Sequence, residues 1–253
     1  MRWQTAGRQI VGARRQQEDC WVLRPWRSGF LAVVADGMGG HHGGEVASKL
    51  AIEAFVQAFE SAGQAGASES ANVSEMLARG IEAATEALLE RIRESPQLSE
   101  MGCTIVGVAL NDRLMHWISV GDSPLWLVEK GRLQRLNADH SMRPVLAEMV
   151  QSGRITAGDA ARHPSRNALR SVISREPPAL TDRGQQRLEA NGRPRILIAT
   201  DGIETLSEDD IAEATAGAAS AEEATRALLS GVEKASNAWQ DNTTVVVALP
   251  VGT

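Results

Sequence analysis

The chain is poor in cysteine, with Cys20 and Cys103 alone among 253 residues, and each falls inside an apolar run that reads as a strand. Buried thiols are therefore expected, not a disulfide framework or a thiolate metal site, and this fits a reducing compartment. Long apolar stretches are missing too. Nothing approaches the ~18 residues of a membrane-spanning helix, and Met1-Arg2-Trp3-Gln4 has no apolar segment of signal length behind it. A soluble, cytoplasmic protein with no membrane partner is expected. Positive charge is in deficit, with a formal net charge of -6, so a polyanion-binding surface is not expected and nucleic acid is excluded as a partner class. Internal repeats, coiled-coil heptads and a long low-complexity tail are also lacking.

What is present is a hydrophobic content of 43%, enough for a substantial core in one large domain. The chain is organised around Val33-Val34-Ala35-Asp36-Gly37-Met38-Gly39-Gly40-His41, where an apolar strand ends in an acid and then in glycines. The loop is not a dinucleotide fingerprint, because His42 stands where the third glycine would be, and no Gly-Lys-Ser/Thr follows. Asp36 would repel bare phosphate, a conflict that an intervening cation removes.

Residues 3–11, 20–23 and 30–35 read as strands. Helical spacing then begins near Glu45 with Ala47, Ala51, Ala54, Phe55, Ala58 and Phe59. A polar Gly/Ser/Ala linker over 61–72 separates this helix from a second one beginning near Ser74 and stopped at Ser95-Pro96. Strands are expected over 104–110, 114–120, 125–129 and 133–136, with the short turns between them making sequence neighbours antiparallel partners. A hairpin is expected from 186–190 and 195–199 about Asn191-Gly192, followed by helices at about 208–216 and 221–236 and a strand over 243–251. The stretch of about 139–182, with broken helical periodicity near 145–150 and 168–173, reads as a mobile flap-like subdomain. This order is not strict βα alternation. It predicts an α+β fold of antiparallel sheets packed face to face with helix pairs outside.

Glu18-Asp19, Asp36, Asp201 and Asp241 all stand at the edges of apolar strands. If those edges converge, repulsion raises the carboxylates' pKa values unless cations neutralise them, and oxygen-only ligands select hard ions such as Mg²⁺ or Mn²⁺. Two such ions could activate a water and clamp both oxygens of a phosphoryl transfer.

The joint order of Arg14-x-x-x-Glu18-Asp19, Val34 through His41, Gly102-Cys103-Thr104, Val120-Gly121-Asp122-Ser123, Asp139-His140-Ser141, Thr200-Asp201-Gly202 and Asp241-Asn242-Thr243-Thr244 resembles the metal-dependent protein phosphatases of the type 2C (PPM) class, in their compact bacterial form. The resemblance runs over nearly the whole chain. It implies a single catalytic domain over 1–253, built as a four-layer αββα sandwich of two mainly antiparallel sheets, with a binuclear Mn²⁺/Mg²⁺ centre at one end. Asp36 would bridge the ions, the Gly37 carbonyl would bind one, and Asp201 with Asp241 would bind the other. Glu18 and Asp19 would hold metal-bound waters, Asn242 would orient Asp241 or a ligand water, and Arg14 would grip phosphate. Asp122 and Asp201 could hold a third, weaker ion.

Three departures bear on this reading. Pro124 stands where an arginine is common in the family. Thr205 stands where many members have an acid, with Glu204 one place early. Met38 takes the position of a histidine proposed as general acid in eukaryotic relatives, so the proton would come from a metal-bound water, His41 or His42. The implied activity is hydrolysis of phosphoserine and phosphothreonine in proteins by direct attack of a metal-bridging hydroxide, by a monomer opposing a Ser/Thr kinase. A cysteine-based phosphatase is disfavoured, since Trp26 and Ala109 stand where Cys-x₅-Arg requires arginine. A non-catalytic binding module and a hydrolase of small phosphorylated metabolites are the rival readings. His140 is expected to make a structural hydrogen bond.

Overall fold

A computed structural model of the chain describes residues 1–39, 43–64, 73–235 and 237–251. Its strands are β1 (Trp3–Ile10), β2 (Asp19–Trp26), β3 (Gly29–Met38), β4 (Gly102–Cys103), β5 (Ile105–Asn111), β6 (Leu114–Val120), β7 (Leu125–Glu129), β8 (Arg132–Arg135), β9 (Asp182–Arg187), β10 (Arg195–Ala199) and β11 (Thr243–Pro250). Its helices are α1 (Gly43–Gln64), α2 (Val73–Glu94), α3 (Arg143–Gln151), α4 (Ala157–Ala161), α5 (Glu208–Gly217) and α6 (Ala221–Lys234). One sheet runs β1-β11-β10-β7-β8 and the other β2-β3-β5-β6-β9, with β4 paired to β3, and every pairing is antiparallel.

The layers follow from which side chains each strand turns inward. Phe30, Ala32, Val34 and Val108 of one sheet meet Leu127, Ile198 and Val246 of the other between the sheets. The alternate residues Leu31, Val33 and Ala35 face α1 and α2. Leu197, Val245 and Val247 face α5 and α6. The period of two along β3 thus serves two cores at once, which requires a continuous apolar run. The result is the expected αββα sandwich. Close approach of α1 to α2 and to the sheet depends on two glycines, because a Cβ at Gly80 of α2 or Gly107 of β5 would run into the Phe55 ring.

Two expected strand pairings are not formed. The turn Gly121–Pro124 does not fold β7 back onto β6; it carries the chain from one sheet to the other. Buried Asn137 fixes this crossing, accepting from Leu125 N at 2.8 Å and donating to Ser123 O at 2.9 Å and Ser119 Oγ at 3.1 Å. Likewise β9 and β10 are not a hairpin, since β9 pairs with β6 and β10 with β7 and β11. In both places a short link joins the two layers, a geometry that turn residues alone do not distinguish from a hairpin.

Helix α1 continues to Gln64, and the rest of the expected linker lies outside the described residues. Between residues 139 and 182 the helical pattern near 145–150 is α3, whereas 168–173 is not helical. It makes bridges from Leu169 to Ser141 and from Ile173 to Cys103, the second of which seats this stretch against β4. Among the described residues no helix is long and apolar enough to cross a membrane.

Candidate active site

The two sheets deliver acids to the same end of the sandwich. Asp19 opens β2 and faces Asp36 directly across the β2–β3 ladder, while Asp201 follows β10 and Asp241 precedes β11, which are themselves paired. Like charges opposed across a ladder repel, and here they are also desolvated. Asp36 carries a carboxyl held well above its ordinary pKa, first by burial and then by the charges of Asp19, Asp201, Asp241 and Asp122. Burial pushes Asp19 up to about 7, against two hydrogen bonds that favour its charged form. Asp201 is raised by burial and by the charges of Asp241 and Glu204, against the pull of Arg143.

The surrounding side chains hold these acids in place. Thr200 and Thr244 each donate a hydroxyl to Asp19 Oδ2 at 2.8 Å, while Asp19 Oδ1 is buried with no partner among the described residues. Thr104 grips the backbone of Asp36 twice, accepting from its N–H at 3.1 Å and donating its own N–H to its carbonyl at 2.9 Å. The Glu18 carboxylate lies against the N-terminus of α1, close enough that a Cβ on Gly44 would meet its Oε1. Its carboxyl is nonetheless raised by burial, against the pull of Arg14. Glycine is required where β3 meets that helix: a Cβ on Gly37 would collide with the carbonyls of Gly44 and Glu18.

The Asn242 side chain is turned toward the neighbouring loop. It accepts from Glu18 N at 2.7 Å and donates to Val11 O at 2.8 Å and Gln16 O at 2.9 Å, so it holds the loop that bears Arg14. Asp241 is oriented by the Asn242 backbone N–H, at 2.8 Å. Gly12, at a φ of +65°, lets that loop lie flat on the carbonyls of Gln240 and Asp241. Arg14 Nη2 meets Asp241 Oδ2 at 2.5 Å.

Asp19, Asp36, Asp201, Asp241, Glu18 and Arg14 are thus brought together. Among the described residues, however, no three acidic, histidine or cysteine side chains already form a closed ligand cage. The ion pair with Arg14 engages one face of Asp241, and mutual repulsion opposes closer convergence of the rest. The donor set still fits hard divalent ions: the donors are oxygens, their unmet charge is negative, and Asp19 Oδ1 is a buried acceptor without a donor.

His41 and His42 lie outside the described residues. His140 makes the expected structural bond, its Nδ1 accepting from Gly121 N at 3.2 Å. Both cysteines are free, and burial pushes both thiols up in pKa, which suits core residues and not nucleophiles. The supporting hydroxyls of Thr104, Thr200 and Thr244 sit inside recognised motifs but had no assigned role. Arg135 and Arg143, which with Glu204 surround Asp122, carry no sequence signal beyond their charge.

An αββα sandwich whose paired sheets gather aspartates at one end defines the class of metal-dependent protein phosphatases. A family profile described as protein phosphatase 2C matches residues 6–239, and the chain belongs to that family. The serine/threonine protein phosphatase PstP of Mycobacterium tuberculosis is 30% identical over 221 residues, which cover 86% of this chain and 40% of that protein. A crystal structure of the Mycobacterium tuberculosis serine/threonine phosphatase PstP/Ppp superposes with a TM-score of 0.82 at 26% identity, covering 100% of both chains. A structure of the PstP catalytic domain in complex with two manganese ions gives a TM-score of 0.78 at 25% identity, covering 99% of each chain.

Proposed function

We propose that the chain hydrolyses phosphoserine and phosphothreonine in protein substrates, with two Mn²⁺ or Mg²⁺ ions as cofactors, and opposes a Ser/Thr kinase in the cytoplasm. The observation that carries this reading is buried Asp19 and half-buried Asp36 facing each other across β2 and β3, with Asp201 and Asp241 beside them and one Asp19 oxygen unpartnered among the described residues. Such an arrangement is costly unless cations complete it.

Asp36 would bridge the ions, with the Gly37 carbonyl on one and Asp201 and Asp241 on the other. Bound ions supply Lewis acidity, lowering the pKa of a water and offsetting charge on the phosphoryl oxygens. Glu18 and Asp19 orient water at the rim, and the hydroxyls of Thr200 and Thr244 fix Asp19 for that task. Arg14 turns from Asp241 to the phosphate, where a planar guanidinium takes two oxygens at once. Water attacks phosphorus directly, the bond to the seryl or threonyl oxygen breaks, and no phosphoenzyme forms. The proton for the leaving oxygen comes from water in the site or from His41.

The test is phosphate release from a phosphothreonine peptide. Release with Mn²⁺, loss with EDTA, and a drop of at least ~10²-fold in Asp36→Ala are expected. No release by the wild-type protein from any of several phosphopeptides and phosphoproteins in ample Mn²⁺ would sink the reading.

A further inference from the structure

The family resemblance implies a third, weaker ion at Asp122 with Asp201, yet the surroundings of Asp122 do not fit one. Asp122 is buried at 4% exposure, and its Oδ2 accepts from Arg143 Nη2 at 3.0 Å. The same guanidinium places Nε 3.1 Å from Asp139 Oδ2 and 3.1 Å from Ser141 Oγ, and Nη1 on Glu204. All three guanidinium nitrogens are therefore engaged, in a planar fork that three carboxylates surround. Arg135 completes the arrangement, donating Nη2 to the Asp122 carbonyl at 2.6 Å and standing 3.8 Å from both Asp139 and Glu204. A divalent ion on Asp122 would have to sit within ~2.0–2.6 Å of its oxygens. On the Oδ2 side a fixed positive charge already stands there.

We propose that Arg143 is a tethered replacement for the third cation: its guanidinium neutralises Asp122, Asp139 and Glu204, and excludes a divalent ion from Asp122. The inference rests on the phosphatase reading above. Arg143 is a positioning residue. Through Glu204 it steadies the short helical turn Asp201–Thr205, which carries the metal-ligand candidate Asp201, and it ties the first residue of α3 to the rim of the site. An ion at this place would come and go with its concentration; a side chain stays. The rate should therefore saturate with the two tight ions and show no further rise at millimolar Mn²⁺.

The experiment counts bound Mn²⁺ by electron paramagnetic resonance and locates it by anomalous scattering in Mn²⁺-soaked crystals of the wild type, Arg143→Lys and Arg143→Gln. Two ions and no peak at Asp122 are expected for the wild type and Arg143→Lys. For Arg143→Gln a third ion beside Asp122 is expected at millimolar Mn²⁺, with the Mn²⁺ dependence of kcat extending into that range. An anomalous peak at Asp122 in the wild type overturns the proposal whatever the variants do. So does a count of two in Arg143→Gln with an unchanged Mn²⁺ dependence. A wild type that binds no Mn²⁺ removes the phosphatase reading itself, and this inference with it.

Discussion

Two groups of acids stand side by side at one end of the sandwich, and they are neutralised in opposite ways. Buried Asp19 and half-buried Asp36 and Asp201 stand together with raised pKa values, while Arg14 engages Asp241 at the solvent edge. Asp139, Glu204 and Asp122 are instead laced together by Arg143 and Arg135 from within the chain. Asp122 is the seam: burial and the charge of Asp201 push it up to about 7, while Arg143 pulls the other way. A carboxylate cluster is thus not itself a metal site. What distinguishes the two groups is whether the fold also brings its own cation.

Removing a carboxylate should move the two groups in opposite directions when the protein is free of metal. Asp139 accepts from Ser141 N at 2.7 Å and faces both arginines, so Asp139→Ala leaves charged donors unmet and should cost ~2 kcal/mol. Asp36→Asn removes a carboxyl whose ionisation burial and four neighbouring acids oppose, and should stabilise the EDTA-treated protein by ~1 kcal/mol or more, while abolishing activity. Urea denaturation of both variants in EDTA provides the check. A destabilised Asp36→Asn would mean that its cluster is already balanced, and the contrast would be lost.

The same contrast sets a pH dependence. Asp19 and Asp122 have folded-state values of about 7, and Asp36 and Asp201 are raised as well, so between roughly pH 4 and 7 the native state binds more protons than the unfolded one. Stability of the metal-free protein therefore falls as pH rises through that window, by up to ~1.4 kcal/mol per pH unit for each proton involved. Saturating Mn²⁺ should flatten the slope, since the ions take the place of the protons. Denaturation midpoints at pH 5, 6 and 7, with and without Mn²⁺, decide it; a metal-free protein that gains stability toward pH 7 would contradict the assignment.

Which parts of this were legible in the sequence follows from whether the signal is local. The strand ending in Asp36 and the helices at 45–59 and 208–236 announce themselves through apolar periodicity, and the acids at strand ends through the abrupt change of character. The crossings at Gly121–Pro124 and between β9 and β10 were not legible, because a turn that switches sheets has the composition of one that closes a hairpin. Asn137 holds the first crossing through three bonds to residues up to 18 positions away, and nothing near it in sequence marks that role. Arg143 was invisible for the same reason. It is one arginine among many until Asp122, 21 residues back, and Glu204, 61 residues on, are brought to it. Asn242 stands in a motif legible in the sequence, but the service of its side chain to the loop of residues 11–18 was not legible, because only the closure of chain ends β1 and β11 creates it.

The smallest expected effect concerns the cation that the two groups do not share. Arg14 and Arg143 both pair with acids of the rim, but the Arg14 side chain is 55% exposed against 17% for Arg143, and the partner of Arg14, Asp241, is 40% exposed. An exposed pair of this kind is worth ~0–1 kcal/mol, so Arg14 can exchange Asp241 for phosphate at little cost, which a guanidinium held by three carboxylates cannot do. Arg14→Ala should accordingly leave stability within ~1 kcal/mol of the wild type and Mn²⁺ stoichiometry unchanged, while raising KM for a phosphopeptide more than it lowers kcat. Loss of both ions in that variant would show that Arg14 is part of the scaffold of the metal site. The two arginines would then differ in degree and not in kind.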